Sequence, residues 1–127
     1  MRTGLVISII LLCATIAIGC WEEHETGQLS RRYESMAEEL YSLAQQKDWS
    51  SAQQLVANYL EEWGKTVPWL QILINHEDID DVTLALERLQ ACVAARDAAA
   101  CLENCAELQE NARHIHHRDA FTWGNVL

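Results

Sequence analysis

The residues best placed to do chemistry lie in one short run. In Asn75-His76-Glu77-Asp78-Ile79-Asp80, the imidazole of His76 and the carboxylate of Asp80 are four residues apart. On a helix that spacing puts both on one face, where a proton can pass between them. Glu77 offers a second carboxylate, so a hydrolase using His76 with Glu77 or Asp80 is one reading of the run. The preferred reading is a polar clasp, in which these side chains satisfy backbone groups left open at a helix corner. Just upstream, Trp63 and Trp69 flank Pro68. A proline ring inside a helix clashes with the carbonyl four residues back, and two indoles are suited to fill the gap this opens.

Two more clusters need weighing. Cys101 and Cys105 fall on an apolar stripe, where thiols pack as small hydrophobes. Cys92 and Cys101 are nearly equidistant from a turn at 96–98, so a helical hairpin can face them, and a Cys92–Cys101 disulfide is a candidate in an oxidising compartment. A metal on Cys101 and Cys105 would lack two further ligands. His114 and His117 share a helix face beside His116, so a surface metal site competes there with a solvated helix end, and the helix end is preferred. The sequence has no HExxH, GxSxG, P-loop or EF-hand pattern, and the acidic run 77–81 lacks the oxygen spacing of a calcium loop. No catalytic residue, metal or cofactor is assigned, and the chain reads as a non-enzyme.

The elements that must position these groups are helical. Four apolar stripes repeat at steps of three and four. They are Leu29-Tyr33-Met36-Leu40-Leu43, Val56-Leu60-Trp63-Val67-Leu70-Ile74, Ile79-Val82-Leu86-Leu89-Val93 and Cys101-Cys105-Leu108-Ala112-Ile115. Asp48 or Ser50 is suited to cap the second helix and Asp78 the third. One proline and five glycines argue against a turn-rich fold. The expected fold is all-α: an N-terminal transmembrane helix, then an antiparallel bundle of about four helices, the second kinked at Pro68.

Gly4 to Trp21 contain no charged residue. As a helix they span about 27 Å, enough to cross a bilayer core. Residues 1–21 thus read as a transmembrane signal-anchor, with Arg2 in the cytoplasm and Trp21 at the outer interface. Ala17-Ile18-Gly19-Cys20 also resembles a lipoprotein signal, which would put a lipid on Cys20, and a cleaved secretory signal is a third reading. A polar spacer over 22–28 is expected to lead into one extracytoplasmic helical domain, residues 22–127. That domain carries 8 Lys and Arg against 19 Asp and Glu, which excludes nucleic acid and anionic lipid surfaces as partners. At the far end, Phe121, Trp123, Val126 and Leu127 are too apolar for a free chain end. They are expected to dock beside Trp69 and the His76 corner, with Asn125 bonding to that corner's backbone.

One set of residues, in this order after a single apolar segment, resembles a known family. It comprises Asp48-Trp49, Ala52, Trp63, Trp69, Ile74-x-His76-Glu77-x-Ile79-Asp80 and the closing Asn125-Val126-Leu127. It is similar to domain-of-unknown-function family 4363, small anchored bacterial proteins, over nearly the whole chain. The segment from Trp69 to Asp80 is the most specific part. The resemblance implies a single-pass anchor and a helical extracytoplasmic domain encoded near multi-pass membrane proteins, and it brings no activity, cofactor or catalytic residue. Pro68, the three domain cysteines and the lipobox-like segment depart from the family pattern. The expected function is a non-enzymatic module at the cell membrane, held by residues 4–21, that binds or supports another membrane or envelope protein. The alternative is an extracytoplasmic metal- or small-ligand-binding protein using the histidines.

Overall fold

A computed structural model describes the backbone of residues 1–126 and the side chains of residues 1–115. Its four helices are α1 (Arg2–Gln45), α2 (Trp49–Leu73), α3 (His76–Ala94) and α4 (Ala98–Val126). Each packs against its neighbours in chain order, and α4 closes the ring against α1. Short turns make successive helices antiparallel, so this is an up-down-up-down bundle.

The membrane-type segment is not a separate helix. It is the first half of α1, which continues without a break into the bundle. The expected polar spacer over 22–28 is therefore helical. Glu and Gln propagate a helix readily, no proline interrupts, and the single Gly27 costs only about 1 kcal/mol. Packing compensates that cost, because Thr26 and Gly27, with Ser30 just beyond the stretch, are buried on one face. The Thr26 hydroxyl returns to the carbonyls of Glu22 (3.0 Å) and Glu23 (3.2 Å). The first half of α1 is the one stretch among the described residues long and apolar enough to cross a membrane, with mean hydropathy 2.4. Leu5, Ile7, Ile10 and Leu12 along it are all more than half exposed.

The other stripes form the core as their spacing predicts. Every residue of the third and fourth stripes is buried, joined by Tyr33, Met36, Leu40, Val56, Trp63, Leu70 and Ile74. Leu29, Leu43, Leu60 and Val67 are half-buried at its margin. Pro68 lies inside α2 without ending it.

The turns after α1 and α3 are built alike. Lys47 and Arg96 take positive φ, 57° and 55°. Lys47 N–H donates to the Ala44 carbonyl and Asp48 N–H to that of Leu43; Arg96 and Asp97 do the same to Val93 and Cys92. This is the Schellman arrangement, which satisfies the last carbonyls of a helix. The aspartate that follows caps the next helix in each case, Asp48 through Ser51 N–H (3.3 Å) and Asp97 through Ala100 N–H (3.1 Å). The α2–α3 corner differs from expectation in one respect. Asn75, and not Asp78, is the N-cap of α3, accepting from Glu77 N–H. Helix α3 starts early enough to place Asp78 inside the first turn, where a carboxylate faces the positive helix end.

Candidate functional site

The corner residues sit on the outside of the bundle. His76, Glu77 and Asp80 are exposed, and Asp78 is buried. Among the described residues no hydrogen bond or ion pair joins His76 to Asp80. Trp63 is drawn inward instead. It is 2 % exposed, and its indole N–H donates to the Thr83 hydroxyl at 2.8 Å, tying α2 to α3. Thr83 in turn donates to the Ile79 carbonyl (2.8 Å). Trp69 remains partly exposed, on the wall of an open groove of about 190 Å³ between α1 and α2 with Gln28, Arg32, Glu62 and Thr66. The two tryptophans flanking Pro68 thus have different tasks, one in the core and one at the surface.

Around Trp63 lies a cluster that the stripes do not reveal. The Tyr33 ring meets Tyr59 and Trp63 edge-on, each at 5.3 Å between centroids. Arg32 lies over the Tyr59 ring at 5.6 Å and pairs with Glu62. The hydrogen bond to Tyr59 is the largest influence holding the Arg32 guanidinium charged, with Glu62 adding to it. Burial pushes the Tyr33 hydroxyl well above the usual tyrosine range, and the nearby Glu62 carboxylate adds to this. That hydroxyl is buried without a hydrogen-bond partner among the described residues. Arg32 and Glu62 lie off the apolar faces, so periodicity could not find them. The signal available was their position one residue before Tyr33 and one before Trp63.

The Tyr33 contacts also set the register between α1 and α2. From the level of Tyr33, α2 runs on for about twelve residues to Leu73, about 18 Å at the helical rise. That brings the α2–α3 corner level with Trp21, where the apolar run ends. Ile72, 83 % exposed, and Trp69 lie one turn apart at this end of α2.

The thiols lie at the opposite end. Cys101 and Cys105 are buried and Cys92 is half-buried, all as free thiols. Burial raises Cys101 to about 11, with Cys92 and Asp97 contributing, and Cys105 to about 12, with Cys101 and Cys92 contributing. Cys105 lines an open groove of about 280 Å³ between α1 and α4 with Ala37, Glu38 and Tyr41. Cys20 is exposed on α1.

His114 pairs with Glu110 one turn back (3.3 Å). The side chains of His116, His117, Phe121, Trp123, Asn125 and Val126 lie outside the described residues, as does all of Leu127. The backbone through Val126 belongs to α4. Among the described residues no group of three His, Cys, Asp or Glu is arranged to hold a metal ion.

Residues 20–126 match the family model described as Domain of unknown function (DUF4363). No curated protein and no solved structure matches the chain.

Proposed function

The chain belongs to the DUF4363 family, and from that premise we propose that it is a non-enzymatic, single-pass membrane protein whose bundle, outside the cytoplasm, binds or supports another membrane protein. One observation carries the reading: α1 is a single unbroken helix whose first half is apolar and exposed and whose second half is a wall of the bundle. A continuous helix leaves no flexible linker, so a bundle held this way keeps a fixed distance and orientation to the bilayer. A tethered ligand-binding domain has no need of that rigidity, whereas a scaffold that must meet a neighbour in the same membrane does.

The partner surface in this proposal is the membrane-proximal end of α2. Trp69 and Ile72 make an exposed apolar pair level with the end of the apolar run. Exposed apolar pairs of this kind suit partner contact, and the large negative charge of the rest of the domain limits nonspecific association. A photo-crosslinking residue at Ile72, with the full chain in native membranes, tests the reading. One discrete protein adduct is expected, lost on Trp69→Glu while the helical content stays constant. Adducts to lipid alone would overturn the partner reading. A cysteine introduced at exposed Ser42 should be labelled from outside in intact cells, and labelling only after lysis would overturn the orientation.

A further inference from the structure

We propose that Cys92 and Cys101 form a thiol–disulfide exchange site, which a low-molecular-weight disulfide converts into a covalent bond between α3 and α4. The proposal is independent of any membrane partner.

The α3–α4 turn supplies the geometry. Cys92 lies in the last turn of α3, and its carbonyl accepts the Asp97 N–H at 3.1 Å. Cys101 lies in the first turns of α4, and its own N–H donates to the Asp97 carbonyl (3.0 Å). Both cysteines are therefore fixed by backbone bonds to the same turn residue. Asn104 holds the sulfur itself in place. Its side-chain amide donates to Cys92 Sγ at 3.1 Å and to the Ala100 carbonyl at 2.8 Å. The Cys92 sulfur thus rests against the face of α4 that carries Cys101, one turn from Asn104. A cysteine that only fills volume needs no amide donor aimed at its sulfur. Such a donor is what a sulfur carrying negative charge during exchange requires.

Exposure divides the work. Cys92 is half-buried and can meet a dissolved disulfide, while Cys101 is fully buried and cannot. In the first step the Cys92 thiolate attacks one sulfur of the oxidant RSSR. A Cys92–SR bond forms, the RS–SR bond breaks, and RS⁻ leaves. In the second step the Cys101 thiolate attacks the Cys92 sulfur, forming the Cys92–Cys101 bond and expelling the second RS⁻. Two protein thiols are oxidised, one disulfide is reduced, and the two thiol protons end on the two released RSH. Cys105 lies one turn beyond Cys101 on the same helix. It is deeper in the core than Cys92, and a bond between Cys101 and Cys105 would tie no two elements together.

The test uses the full chain, purified reduced in mild detergent and incubated with glutathione disulfide. Residual thiols are then alkylated and the unreduced digest is mapped. The expected result is an intrachain peptide joining Cys92 to Cys101, with the loss of two hydrogens and of alkylation at both positions. Cys105→Ser should still form the link, and Cys101→Ser should stop at a Cys92–glutathione adduct. If Cys101→Ser does not fold, the same adduct is sought in the unaltered chain at short reaction times. Free thiols at Cys92 and Cys101 after prolonged incubation would overturn the proposal. So would a Cys101–Cys105 link, or a Cys92–Cys101 link that forms only in denaturant.

Discussion

Replacing Tyr33 by Phe should make the protein more stable, an unusual outcome for a change in a packed core. Tyr33 is 2 % exposed and its hydroxyl is buried without a partner among the described residues. Burying a hydroxyl with no hydrogen bond costs about 1–3 kcal/mol. Phenylalanine keeps the ring and with it the edge contacts to Tyr59 and Trp63, at interplanar angles of 78° and 74°. Only the desolvated oxygen is removed, so the gain should be about 1–3 kcal/mol. For a domain near a hundred residues, each 1 kcal/mol moves the melting temperature by about 4–8 °C. Thermal unfolding of the full chain in mild detergent, followed by near-ultraviolet circular dichroism, reads the loss of the packed aromatic cluster in the bundle. The neighbouring substitution Trp63→Phe gives the contrast. It removes the 2.8 Å donation to Thr83 and should lower stability by about 1 kcal/mol or more. A fall or no change on Tyr33→Phe would mean that the hydroxyl is satisfied after all, and that the cluster is a polar network.

Leu86 and Leu89 are fully buried, so Leu86→Ala or Leu89→Ala should each cost about 2–5 kcal/mol in denaturant titration. Lys47→Gly and Arg96→Gly should each stabilise by about 0.5–1 kcal/mol in the same assay, because both positions hold positive φ that a side chain opposes. Stability should fall with alkaline pH. The thiols of the unfolded chain ionise near 9.0, while burial holds Cys101 to about 11 and Cys105 to about 12. The folded state therefore binds more protons above pH 9, so their contribution is complete below that value and is lost as pH rises toward 12. Denaturation midpoints measured across that window should fall less steeply in the Cys101→Ala, Cys105→Ala double variant, the remaining slope above pH 10 coming from buried Tyr33.

Periodicity made most of this bundle legible. Steps of three and four put Val82, Leu86, Leu89, Cys101, Cys105 and Leu108 on inward faces, and all are buried. Such a pattern reports one face at a time, so it misses groups whose role depends on a neighbouring helix. Arg32 and Glu62 belong to no stripe, yet they meet across α1 and α2. Thr83 likewise belongs to no stripe, yet the Trp63 indole reaches it from α2. The placement of Cys92 and Cys101 on either side of one turn is legible for a different reason. The turn between them is short, and both bond through the backbone to its Asp97.

The stretch 22–28 shows how a polar sequence can mislead. Its residues share no apolar period, which is the usual mark of a linker. Yet Thr26 and Gly27, with Ser30 just beyond, form a face of small residues, and small residues let another helix approach closely without a hydrophobic stripe. Buried hydroxyls there need acceptors, and Thr26 finds two in the preceding turn of its own helix. Helical continuity from Arg2 to Gln45 then follows from local satisfaction of polar groups plus close packing, two conditions that hydropathy does not register. In the proposed function this stretch matters most, since it makes the apolar segment and the bundle one rod and sets Trp69 and Ile72 at a fixed height beside the membrane.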